Sequence, residues 1–135
     1  MLFQHVSIAS IAHIDAPNPL TSAAINERLR PTLDRLGIRA DVLGDIAGIH
    51  SRRFWEEGTQ ASDAATSAAE KALAELDIPR ERIGLLVNTS VSRDFLEPST
   101  ASIVSGNLGL SDTCQNFDLA NACLASSTAW TLPAA

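Results

Sequence analysis

The chain is short of cysteine, short of positive charge and without a long apolar run, and each shortage removes a class of protein. Cys114 and Cys123 are the only thiols in 135 residues. They form neither a C-x-x-C pair nor a metal-ligand pattern, and they make no disulfide framework. No metal site is expected, and a reducing, cytoplasmic setting is the simpler inference. Lys and Arg total 10 against 16 Asp and Glu, a net charge of −6. A nucleic-acid surface wants a basic face, so nucleic acid is not an expected partner. No stretch approaches the ~20 apolar residues that a membrane helix needs. Met1 to His5 lacks the basic start and apolar core of a signal peptide. No G-x-G-x-x-G or P-loop supports a nucleotide-binding fold. His5, His13 and His50 have no ligand spacing and read as structural or exposed.

What is present is the material of one ordinary domain, 45% hydrophobic and 19% charged. Val6 to His13 reads as an inner strand, rich in β-branched and small residues. Asp15 to Pro19 reads as a loop, because two prolines in three positions oppose a ladder. Thr21 or Ser22 caps a helix with Ile25, Leu29, Leu33 and Leu36 on one stripe, and Gly37 stops it. Pro31 predicts a kink or a break into two pieces. An irregular stretch follows from Ile38, with a short strand around Ile49 to Phe54.

Ser62 or Asp63 caps a second helix, running to about Leu76 with a face of mostly small side chains. Ile83 to Val87 is a continuous apolar run, as in a strand buried on both sides. Pro98 at the first helical position opens a helix over Ser99 to Leu108, closed by Gly109. Gln115 to Leu119 is the next strand, and Cys123 begins the helix after it. This alternation predicts an α/β fold, a mainly parallel sheet with helices on both faces.

Cys123 is the first candidate for chemistry. At a helix start, unpaired N–H groups and the positive end of the dipole lower a thiol pKa, and the thiolate is the nucleophile. Ala120, Ala122 and Ala125 leave room beside it. Spacing alone favours an inert core thiol, since free cysteine is among the most buried residue types. Asp118, on the preceding strand, reads as a satisfier of nearby backbone, and Cys114 as an incidental free thiol.

Five stretches occur together in an order that resembles a known family. They are Gly48-Ile49 with Arg52-Arg53, the Ala-rich helix after Ser62-Asp63, Ile83 to Val87, Pro98 to Ala101, and Phe117 to Cys123. The sequence resembles the N-terminal half of a thiolase-fold condensing enzyme of the β-ketoacyl-ACP synthase III type, with residues 1–125 as an incomplete half. Ser92 to Ser102 and Asn121 to Ala125 most resemble the enzymes that condense two long-chain acyl-CoA molecules head to head, in bacterial olefin synthesis. Val42 and Ile46 stand where acetyl-CoA-primed synthases carry Trp and Arg for CoA, and Glu97 replaces their usual neutral residue.

The resemblance implies an acyltransferase acting as a homodimer on acyl-CoA or acyl-carrier-protein thioesters, without a further cofactor. Cys123 becomes the acyl-accepting nucleophile. Glu97 becomes the base that reaches the partner subunit's site and removes the α-proton of the second acyl chain. Read without the resemblance, Glu97 is a solvated acid before a helix. Arg52 and Arg53 are candidates for CoA phosphates, or a loop pair of solvated charges. An acetyl-CoA or acyl-ACP priming synthase and a non-catalytic fragment docking on an intact homologue are the rival readings.

The family continues into a second half that supplies a His and an Asn for the oxyanion hole, so this chain is expected to condense little or nothing alone. From Ser126 to Ala135 the residues suit the expected long helix poorly, Pro133 above all. A codon series for Phe-Ile-Asn-Gly-Met-Asp-Ile-Ala-Gly that loses one base reads Ser-Ser-Thr-Ala-Trp-Thr-Leu-Pro, the residues found from Ser126 to Pro133. Residues 126–135 are thus expected to be a frameshifted or non-native tail.

Overall fold

A computed structural model describes residues 6–38 and 42–131; the His5 reading and the last residues of the tail lie outside them. Contacts divide the chain into two units, Asp15–Gly58 and the flanking Met1–Ile14 with Thr59–Ala135.

In the first unit, β1 (Asn18–Thr21) pairs antiparallel with β2 (Ser51–Phe54). The expected loop at Asp15 to Pro19 therefore ends inside a strand. The register explains why proline is tolerated. Ser22 N donates to His50 O at 2.9 Å, which makes that pair hydrogen-bonded. Alternation then puts Pro19, opposite Arg53, at a non-hydrogen-bonded position where its missing N–H breaks no ladder bond. The strand expected around Ile49 to Phe54 is β2.

Helix α1 (Ser22–Arg35) follows, and Thr21 Oγ1 caps it by accepting from Ala24 N at 3.2 Å. It runs unbroken through Pro31, so the expected division into two pieces does not occur. The ring removes one N–H of the ladder, and thirteen other residues keep the helical course. Gly37 adopts φ 65° just past the end, as the sequence predicts. Val42–Ile46 forms a π-helical turn.

In the second unit, β3 (Leu85–Asn88) and β4 (Gln115–Asp118) pair in parallel, with α3 (Thr100–Asn107) as their crossover. Helix α2 (Ala61–Ala74) packs beside α3, and its small side chains allow that approach. Its N-cap is Gln60, two positions before the expected Ser62 and three before Asp63. Asp63 instead reaches back to accept from Gln60 N at 3.0 Å, an acid in the role that capping boxes give the third helical residue. Ser99 caps α3 by accepting from Ser102 N at 3.1 Å. Pro98 therefore precedes the cap and is not the first helical residue. The Glu97–Pro98 peptide is cis.

The core is the face of α3 that carries Ala101, Val104 and Leu108, together with Cys114 and Ala125. The guanidinium of Arg80 ties the layers, bonding Glu70 at 2.6 Å and donating to Leu108 O at the end of α3.

One expectation for this unit fails. Val6 to His13 forms no strand, and Val6, Ile8 and Ile11 are exposed. The segment is instead tied to α2 by side chains, Ser10 Oγ to Glu75 at 2.9 Å and Lys71 Nζ to His13 O at 2.9 Å. A strand needs a ladder partner for its backbone groups, and no described strand pairs with this segment. In the β3–β4 pair Asn88 and Asp118 face α3, whereas Leu85 and Phe117, on the opposite face, are 39% and 37% exposed.

Candidate active site

Strand β4 leads into Leu119-Ala120-Asn121 and a tight 3-10 turn over Ala122–Leu124 that carries Cys123. Helix α4 (Ala125–Ala129) comes after it. Cys123 thus precedes a helix of five residues and does not open it, so the expected helix-start placement is corrected by one short turn. Of the two thiols, Cys123 is exposed and Cys114 is buried.

The turn is shaped by conformation and hydrogen bonds together. Ala122 has φ 42°, a region that side chains other than glycine adopt at a cost of about 1 kcal/mol. Such outliers persist only where surroundings fix them. Here Leu124 N bonds Asn121 O at 2.9 Å, and Asn121 Nδ2 bonds Thr128 Oγ1 at 3.1 Å. Ser127 and Thr128 hydroxyls both donate to Leu124 O, and Ala125 is 1% exposed beneath the turn. Cys123 is therefore exposed on a hydrogen-bonded turn, between Ala122 and an exposed Leu124.

Asp118 organises the base of this site. Its Oδ1 accepts from Asn88 Nδ2 at 3.0 Å and from Ala101 N at 2.8 Å, and its Oδ2 accepts from Thr100 N at 3.0 Å. One carboxylate therefore joins β3, β4 and the first turn of α3. Burial pushes its pKa up, but the Asn88 bond, the Ala101 and Thr100 N–H groups and the Arg93 charge outweigh that and hold it below the ordinary value. The sequence reading of Asp118 as a satisfier of backbone is what the structure displays.

Glu97 lies in the loop between β3 and α3, exposed, and its side chain has no hydrogen-bond or ion-pair partner among the described residues. No hydrogen bond joins it to Cys123. Arg52 and Arg53 are not a loop pair: they are neighbours on β2 and so face opposite sides of the ribbon. Arg53 Nε donates to Ala16 O at 2.6 Å, while Arg52 Nη1 is buried without a partner. Joint grip on one phosphate does not follow from that placement. His13 and His50 are exposed, and among the described residues no group of His, Cys, Asp or Glu could hold a metal ion. No described helix is long and apolar enough to cross a membrane.

A residue the sequence gave no reason to single out is Asp94. Its Oδ1 accepts from Ser62 N, at the start of α2, at 3.1 Å. The partner stands 32 positions away, which no local pattern reveals.

Strands β3 and β4, with α3 as their crossover, thus form a parallel β-α-β unit whose second strand leads into the turn that carries Cys123. No protein-family model matches the chain. The acyl-CoA:acyl-CoA alkyltransferase of Xanthomonas campestris pv. campestris is 73% identical over 125 residues, covering 93% of this chain. The β-ketoacyl-[acyl-carrier-protein] synthase III of Aliarcobacter butzleri is 40% identical over 77 residues, covering 56% of this chain and 23% of its own. The crystal structure of cerulenin-bound X. campestris OleA superposes with a TM-score of 0.89 at 70% identity, over 96% of this chain and 38% of that one. The chain is a homologue of the β-ketoacyl-ACP synthase III-like condensing enzymes and has the fold of an incomplete N-terminal thiolase half. Within them it resembles the acyl-CoA:acyl-CoA alkyltransferases, and it spans about 37% of the length of the Xanthomonas relative.

Proposed function

We propose that this segment carries the nucleophile of an acyltransferase that condenses two long-chain acyl-CoA molecules. The observation that carries the reading is the exposed Cys123 on its strained turn, in a chain 73% identical to an acyl-CoA:acyl-CoA alkyltransferase. In the first step the Cys123 thiolate attacks the thioester carbonyl. The bond to the CoA sulfur breaks, CoA leaves as a thiolate that takes up a proton, and an acyl-cysteine remains. In the second step Glu97, acting across a homodimer, takes the α-proton of a second acyl-CoA. The carbanion attacks the acyl-cysteine carbonyl and expels Cys123 as its thiolate, giving a β-keto product.

Further support comes from the solved OleA variants. They include substitutions of one glutamate and one cysteine, separated by the same number of positions as Glu97 and Cys123 here. A substituted histidine of that protein falls, by the same offset, past residue 135 of this sequence. The reading places the protein in the cytoplasm, with thioester substrates and no further cofactor. Residues 126–135 remain assigned to a shifted frame; the DNA past codon 125 tests this, and fails it if no other frame continues the homology.

The functional test uses the enzyme that carries this segment at its relatives' full length. CoA release should be faster with long-chain acyl-CoA alone than with acetyl-CoA plus malonyl-ACP, and Glu97→Gln should abolish condensation. Preference for acetyl-CoA and malonyl-ACP would favour a priming synthase, the rival that the 40% match supports. A Glu97→Gln enzyme that condenses at the parent rate would remove the base.

A further inference from the structure

The loop from Val91 to Pro98 holds itself by almost nothing apolar. Val91, Phe95 and Leu96 are 64%, 56% and 82% exposed. Asp94 is the one residue of that stretch that is not exposed. Its hydrogen bond to Ser62 N, 3.1 Å long, fastens the loop to the first turn of α2. Ser62 is itself only 3% exposed, so water is poorly placed to replace the carboxylate there.

We propose that Asp94 is a positioning residue that holds Glu97 in its working place by anchoring the middle of this loop to the N-terminus of α2. The proposal rests on Glu97 being the base, but the anchor can be tested apart from it. Chain geometry sets its leverage. Consecutive Cα atoms are ~3.8 Å apart, so Glu97, three residues past the anchor and two before the Ser99 cap, stays within ~11 Å of one fixed point and ~8 Å of the other. Without Asp94 the loop is left with Thr89 on Ser126 at 3.3 Å and the local bond of Ser92 N to Ser90 Oγ near its start, and with Ser99, bonded to Ser102 N, at its end. The arc is then about twice as long, and Phe95 and Leu96, 56% and 82% exposed, offer little packing to restrain it. Helix α2 supplies the rigid side: it is joined to α3 through Asn107 and Thr66 at 3.2 Å.

The test is a distance distribution between nitroxides at position 97 (Glu97→Cys) and Cys123, in a Cys114→Ser background, with amide exchange read on the same chain. The parent should give one narrow distribution. Asp94→Ala should at least double its width and speed exchange of the Ser62 amide tenfold or more, while Val104 and Leu108 in α3 keep their protection. Asp94→Asn, which retains an acceptor oxygen, should restore most of the narrowness. Unchanged width and Ser62 exchange in Asp94→Ala would overturn the anchor. So would loss of α3 protection along with the widening, or an Asn variant no better than Ala, since either would make Asp94 a general stability residue. If the distribution widens as stated but Glu97→Gln condenses at the parent rate, the anchor stands and the base assignment falls.

Discussion

Replacing Asp118 by alanine should be among the most damaging single changes in the unit that carries Cys123. The mutation removes the acceptor for three donors at 3.0, 3.0 and 2.8 Å. Asn88 Nδ2 belongs to a flexible side chain and can turn to water. Thr100 N and Ala101 N cannot, because their residues are 1% and 0% exposed. Each buried donor left unpaired costs ~1–3 kcal/mol. Allowing for partial relaxation, we expect a loss of about 3 kcal/mol for Asp118→Ala, and about half of that for Asp118→Asn, whose single oxygen can serve one of the two N–H groups.

The pH dependence has a definite sign. The folded pKa of Asp118 lies below its unfolded value, so the unfolded state binds more protons in the window between them and stability rises with pH there. The contribution is fully present above the unfolded value of about 3.9 and is lost as pH falls through the folded one. Urea titrations at pH 6 and at stepped values below 4, with amide exchange at Thr100 and Ala101, report both effects. The parent should lose stability on acidification more steeply than Asp118→Asn. A variant with the parent's midpoint at pH 6, or with the parent's acid slope, would refute the assignment of those bonds to a working carboxylate.

Other expectations are simpler. Thr21→Ala removes the cap of α1 and should cost ~1 kcal/mol, read as faster exchange at Ala24 N with no effect on Cys123. Ala122→Gly relieves the left-handed backbone at φ 42° and should stabilise the turn by up to ~1 kcal/mol; destabilisation would mean that the strain is illusory. Iodoacetamide on the native chain should modify exposed Cys123 at least tenfold faster than buried Cys114, with the two rates converging in urea.

What the sequence made legible was whatever local chemistry decides. Gly37 and Gly109 stop their helices with φ 65° and 62°, because a left-handed closing residue is a local demand. The parallel pairing of β3 and β4 follows from a strand, a helix and a strand in succession. Failures came where a distant partner decides. Val6 to His13 has strand composition, yet composition supplies no neighbouring ladder. Pro19 enters β1 because the register with β2 leaves its nitrogen facing away, and register is invisible locally. Arg52 and Arg53 read as a pair in sequence and diverge on a strand. Cys123 reads as a helix start and lies instead in the 3-10 turn before the helix, since nothing in Asn121-Ala122 announces such a turn with a positive φ at alanine. Asp94 and Ser62 meet only through the tertiary fold.

The central claim is that Cys123 is the acyl acceptor, and peptide mass spectrometry after incubation of the chain with excess long-chain acyl-CoA tests it most directly. The account predicts an acyl thioester on Cys123, slow but matched by released CoA, removed by hydroxylamine and absent from Cys114 and from a Cys123→Ser chain. Acylation confined to Cys114 or lysine, with Cys123 unmodified, would contradict it.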